Sequence, residues 1–199
     1  MTLRYLALGD SFTIGEGVPP ADRWPMQLAA RLRREGVPLD DPQIIATTGW
    51  TTDELSAAMD RTALAPPYDV VSLLIGVNNQ YRGRSAGEYR LEFRQLLARA
   101  MDLAGGLPQR VLVLSIPDWG VTAFGLGCGR DTAQIAQALD VFNAIGRDES
   151  QRAHVRWVDI TGLSREHSQW LAEDGLHPSG QQYGLWVDAA LPLVREVLR

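Results

Sequence analysis

Short apolar runs alternate along the chain with longer segments in which apolar residues return every three or four positions. The runs are Tyr5 to Leu8, Gln43 to Ala46, Val70 to Ile75, Arg110 to Ile116 and His154 to Ile160. Four of them end in structure-breaking residues: Gly9-Asp10-Ser11, Thr47-Thr48-Gly49, Gly76 and Pro117-Asp118. Runs without polar alternation suit strands covered on both faces, as in a parallel sheet. Between them lie helical patterns. In Glu88 to Met101, the residues Tyr89, Phe93, Leu96, Leu97, Ala100 and Met101 share one stripe, and Ser85 with Glu88 supplies a capping-box start. Thr51 and Glu54 repeat that spacing before Leu55, Ala58 and Met59. Ile135, Leu139 and Phe142 mark a further helix, and Tyr183, Trp186, Val187 and Ala190 the last, which Pro192 is expected to kink or divide. Pro66-Pro67 and Gly105-Gly106 read as turns. The alternation predicts an α/β fold with an open parallel sheet and helices on both faces. With no repeat and no linker-like stretch, residues 1–199 read as a single domain. Such sheets carry their sites at the carboxyl ends of the strands.

Composition narrows the chemistry. A chain of 199 residues can bury roughly 70% of its unfolded surface, so it needs neither disulfides nor a structural metal. A hydrophobic content of 45% with 22% charged residues excludes a disordered chain. The net charge is −5 and all 19 basic residues are arginine, so lysine Schiff-base chemistry and a Walker-type phosphate lysine are excluded. An acidic chain without basic runs is no candidate for sequence-independent nucleic-acid binding. The lone Cys128 reads as an inert loop thiol, and His154 and His167 as surface residues without ligand-spaced partners, so no metal is expected. No stretch approaches the length of a membrane span, and the first apolar run is too short for a signal peptide. A soluble, cytoplasmic protein is the expectation.

Chemistry gathers at the predicted strand ends. Ser11 in Gly9-Asp10-Ser11-Phe12 stands where a strand turns, so its hydroxyl can be presented at the sheet edge; a helix cap at Ser11 and a turn at Asp10 fit as well. Gly49 ends the second strand and Gly76-Val77-Asn78-Asn79 the third. A Gly49 N–H and an Asn78 amide are uncharged donors suited to an oxyanion, while glycine and asparagine are also common turn residues. In Asp174-Gly175-Leu176-His177-Pro178-Ser179 the carboxylate can fold back to accept from His177 Nδ1–H, leaving Nε2 for a serine proton. A helix start decorated with polar residues is the alternative reading.

Together these blocks resemble the SGNH hydrolases, also called the GDSL-type esterases and lipases. Gly9-Asp10-Ser11, Gly49, Gly76-x-Asn78 and Asp174-x-x-His177 match in order, and the resemblance spans residues 9 to 180. It implies a three-layer α/β/α sandwich with a five-stranded parallel sheet, the flavodoxin-like SGNH hydrolase fold. It also implies Ser11 as nucleophile, His177 as base and Asp174 as its orienting partner. The oxyanion hole would combine the N–H groups of Ser11 and Gly49 with the Asn78 side chain. Phe12 stands where the family name has leucine, which bears on packing and the pocket wall. Asn79 stands where the family usually has aspartate, which bears on support of the third-strand loop. The implied activity is hydrolysis of a small or medium carboxylic ester through an acyl-enzyme, with no metal or organic cofactor. Acetylated sugars, lysophospholipids and thioesters compete as substrates, and an alcohol in place of water would make an acyltransferase. Two readings of other classes are a flavin-binding electron carrier and a non-catalytic binding module. The first leaves Asp174 and His177 without a role; the second leaves the whole set idle.

Trp50, Asn79, Tyr81, Arg82 and Trp119 are candidate substrate contacts, since all fall in loops at the carboxyl edge, as does Trp170. Trp24, Trp157 and Trp186 read as scaffold. The glycine-rich stretch from Val121 to Arg130, with Phe124 and Leu126, reads as a surface loop or a flap over the site. An exposed face of the last helix would be the place for a homodimer contact.

Overall fold

The computed structural model describes residues 2–198. Each apolar run forms a strand: β1 (Tyr5–Gly9), β2 (Gln43–Ala46), β3 (Val70–Leu74), β4 (Val111–Leu114) and β5 (Arg156–Val158). The last two strands are shorter than their runs. Arg110 belongs to a 3₁₀ turn, Ser115 to Pro117 have left regular structure, and His154 takes a left-handed φ of 56° that no ladder accommodates. All pairings are parallel, in the order β2-β1-β3-β4-β5. Tyr5 stands beside Val70 on one flank of β1 and Leu6 beside Gln43 on the other. Every residue of β1, β3 and β4 is buried, which explains why these strands are apolar at successive positions.

Two short helices open directly from strand ends, α1 (Ser11–Ile14) after β1 and, later, α4 (Val77–Tyr81) after β3. The covering helices are α2 (Trp24–Arg34), α3 (Thr52–Arg61), α5 (Ala86–Leu103), α7 (Thr132–Arg152) and α9 (Gly180–Val197), with the short α6 (Ala123–Gly127) and α8 (Thr161–Glu166) between the last of them. Helices α2 and α9 pack together, and α5 packs against α3, α7 and β3, giving helices on both sides of the sheet. The stripe on α5 buries Tyr89, Phe93, Leu96, Leu97 and Ala100, and Tyr89 stacks on Phe142 of α7 with ring centroids 4.5 Å apart. Trp24 and Trp186 are fully buried scaffold, whereas Trp157 is only half-buried.

Pro192 corrects the expectation of a divided last helix: α9 is one element from Gly180 to Val197. Pro192 lies on the exposed face, and so does Asp188, whose carbonyl lacks an i+4 N–H donor because that position is proline. Burial of Leu191 and Val194 on the opposite face holds the next turn in place. Among the described residues, no helix is long and apolar enough to cross a membrane.

Candidate active site

The chain runs outward from β1 to β2 and then crosses back to β3, so the strand order reverses between β1 and β3. A crevice opens at the carboxyl ends of strands at such a reversal. Here those ends carry Asp10-Ser11 and Gly76-Val77-Asn78.

Ser11 is the first residue of α1, and Asp10 caps that helix by accepting from the Phe12 N–H at 3.0 Å. Gly9 makes the tight exit possible. A Cβ there would lie 2.2 Å from Thr13 Oγ1 and 2.6 Å from the Leu74 carbonyl of the neighbouring strand. Asp10 is wholly buried, its Oδ2 has no hydrogen-bond partner among the described residues, and burial pushes its carboxyl up to about 7.

On the other side of the crevice, His177 is buried and its Nδ1 lies 2.6 Å from Asp174 Oδ2. Asp174 Oδ1 accepts from the backbone N–H groups of Leu176 and His177, both at 2.9 Å. Burial acts to raise the Asp174 carboxyl, but the hydrogen bonds from the His177 ring and from these backbone groups outweigh it and hold it below the ordinary carboxylate range. An ionised Asp174 fixes the Nδ1–H tautomer and leaves Nε2 as the free basic nitrogen. The turn is pinned from two sides. Ala172 N–H donates to the His177 carbonyl at 2.8 Å, and Phe124 N–H of α6 donates to the Gly175 carbonyl at 2.9 Å. Phe12 packs against the His177 ring with centroids 5.4 Å apart.

Ser11, Phe12, Thr48, Gly49, Val77, Asn78, Tyr81, Trp119, Phe124, Leu176 and His177 line one cavity of about 240 Å³, open to solvent. The cavity therefore unites Ser11, Gly49, Asn78 and His177, with Asp174 behind the imidazole. Among the described residues no hydrogen bond joins the Ser11 hydroxyl directly to the His177 ring, whose bond is to Asp174. Asn78 spends one amide N–H on the Trp50 carbonyl at 2.9 Å, which fixes the orientation of the other. Gly49 has a φ of +87°, a conformation that admits glycine and rejects most side chains.

The candidate substrate contacts divide. Tyr81 and Trp119 line the cavity, their rings 5.3 Å apart and edge-on. Trp50 contributes its carbonyl to Asn78 but not its ring to the lining. Arg82 is turned away: its guanidinium donates to the Gly49 carbonyl at 2.6 Å and reaches the Glu54 carboxylate at 3.4 Å, tying two loops together. Asn79 is completely buried and is a support rather than a contact. Its Oδ1 accepts from Thr52 N–H at 3.1 Å and its Nδ2 donates to Thr52 Oγ1 at 2.6 Å. Trp170 stacks on His167 outside the cavity. The glycine-rich stretch is folded, not a flap: it contains α6, which places Phe124 in the cavity wall and leaves Leu126 exposed.

Thr48, Val77, Phe124 and Leu176 escaped the sequence reading as individual wall residues. Leu176 stands between Asp174 and His177 in their own turn, and Thr48 precedes Gly49, so adjacency to the motifs was the available signal. The wall is mainly apolar, and among the described residues no carboxylate or guanidinium lines it.

The model of the GDSL-like Lipase/Acylhydrolase family matches residues 7–185. No curated protein matches the sequence. Among solved structures, TesA is similar with a TM-score of 0.75 at 16% identity, over 98% of this chain and 99% of that one. Axe2, an acetylxylan esterase from Geobacillus stearothermophilus, gives 0.75 at 18% identity over 96% and 94%. A lipase/acylhydrolase from Enterococcus faecalis gives 0.71 at 18% identity over 99% and 96%. At such identities the likeness is one of fold.

Proposed function

The chain belongs to the GDSL-like lipase/acylhydrolase family, and on that premise we propose that it hydrolyses small or medium carboxylic esters through an acyl-enzyme on Ser11. The observation that carries the reading is the 2.6 Å pair between Asp174 and His177, whose ring opens onto the cavity that holds Ser11. Substrate seats its carbonyl between Ser11 and Asn78. Neutral His177 takes the hydroxyl proton through Nε2 as Ser11 Oγ attacks, and Asp174 holds the imidazolium that forms. The negative oxygen settles among the N–H groups of Ser11 and Gly49 and the free amide N–H of Asn78. His177 then protonates the departing alcohol, and water repeats the sequence on the acyl-enzyme to release the acid.

The apolar wall of Phe12, Val77, Trp119, Phe124 and Leu176 supports an apolar acyl group as the part of the substrate held there. The test is hydrolysis of p-nitrophenyl esters from acetate to long acyl chains by wild type and by Ser11→Ala. Activity should fall by about 10⁴-fold or more in the variant, as in other serine hydrolases stripped of their nucleophile. Equal, negligible rates in both proteins across the series would sink the reading.

A further inference from the structure

Arg130, in the turn between α6 and α7, sits at the outer edge of the cavity without lining it. Its guanidinium carbon lies 4.3 Å from the centroid of the Tyr81 ring and 5.8 Å from that of Trp119. Its Nη1 also donates to the Tyr81 carbonyl at 3.1 Å. Among the described residues no carboxylate pairs with it, so its partners are two aromatic rings and one carbonyl. Tyr81 is the last residue of α4, one turn beyond Asn78, and is 40% exposed. Trp119 behind it is buried and anchored by its Nε1–H donating to Gln80 Oε1 at 2.9 Å. Tyr81 and Phe124 are the exposed aromatic residues of the wall, and of the two it is Tyr81 that Arg130 covers.

We propose that Arg130 is a specificity-determining residue: it clamps Tyr81 against Trp119 and so fixes the outer wall that limits how long an acyl group the cavity accepts. The inference rests on the esterase reading above. A guanidinium is permanently charged and planar, so it can lie over one ring and donate to a carbonyl at the same time. The clamp binds nothing in the reaction itself. Its loss frees the Tyr81 ring, opens the far end of the cavity to longer chains and loosens the fit around shorter ones.

The experiment compares wild type, Ser11→Ala, Arg130→Ala, Arg130→Lys and Tyr81→Ala on p-nitrophenyl butyrate and decanoate, with the Trp119 indole N–H followed by NMR. In Arg130→Ala the ratio of kcat/KM for decanoate over butyrate should rise about fivefold, the scale of one exposed cation–π contact. The change should come through a higher KM for butyrate, with kcat within about twofold of wild type. Arg130→Lys, which keeps the charge but not the plane, should fall between. Arg130→Ala should add nothing in a Tyr81→Ala background. An unchanged length profile, or one uniform loss at both lengths, would overturn the clamp while leaving the esterase intact. Wild type as inactive as Ser11→Ala would overturn the esterase reading instead. The indole signal then still decides the clamp, which fails if that signal is unmoved by Arg130→Ala.

Discussion

Asn79 shows how much a single amide can direct. Thr52 Oγ1 accepts from Asn79 Nδ2 at 2.6 Å and donates its own O–H to the Glu92 carboxylate. The backbone N–H of Thr52 can only donate, so the atom facing it must be Oδ1, and the amide orientation is fixed. Aspartate at this position would offer two acceptors and no donor. One hydroxyl proton would then have to serve both the introduced carboxylate and Glu92, leaving a buried acceptor unpaired beside a second negative charge. Asn79→Asp should therefore lose about 1–3 kcal/mol of stability, the cost of one unsatisfied buried group. Urea unfolding at neutral pH should show the loss, and at pH 4 much of it should return as the new carboxyl picks up a proton and donates again. Equal stability of the two proteins at neutral pH would refute the directional chain. The family resemblance tied Asn79 to support of the third-strand loop, but its partner was not legible in the sequence, because Thr52 is 27 residues away and only the sheet brings α3 and α4 together. That Ser11, Gly49, Asn78, Asp174 and His177 gather at one cavity was legible, because each stands in a short motif at a strand end or before a helix.

Elements follow the same division between local and distant causes. Positions of β1, β2 and β3 could be read to within a residue, since apolar runs bounded by glycine and threonine encode both core and exit. The reach of α7, 21 residues from Thr132 to Arg152, was not visible beyond Ile135, Leu139 and Phe142. Its second half is carried by tertiary packing. Gly146 lets Trp157 come within 3.0 Å of where a Cβ would stand, and Glu149 is buried under the Arg90 and Arg94 side chains of α5. Pro192 in α9 is the opposite case, a local breaker overridden by the buried face around it. That burial offsets a proline cost of about 3 kcal/mol in a helix interior. Pro192→Ala should return most of it, less up to about 1 kcal/mol for the freer unfolded chain, a net gain of about 2 kcal/mol. Chemical denaturation should show a higher midpoint at unchanged slope. A neutral or destabilising result would mean that the helix is not regular enough at Asp188 to accept the restored N–H.

At the scale of the whole molecule, opposing carboxylates shape the response to pH. Asp174, Glu149, Asp53 and Glu54 sit below their ordinary values, so the stability they contribute is present above the unfolded value and is lost only in stronger acid. Asp10 works the other way. Burial raises it from 3.8 to about 7, so the unfolded chain gives up this proton before the folded one does. Between about pH 4 and pH 7 the unfolded state binds fewer protons at this site, and stability must fall as pH rises through that window. The protein should therefore be most stable in mild acid and lose stability toward neutral pH, where the carboxyl next to Ser11 ionises. Asp10→Asn isolates this dependence. Its amide oxygen can still cap α1 through Phe12 N–H, while no charge develops at the site. Thermal unfolding of wild type from pH 4 to pH 8 should show a falling Tm that the variant lacks, whatever its absolute stability. A wild-type Tm as flat as that of Asp10→Asn across this range would mean that the buried carboxyl stays in one protonation state throughout.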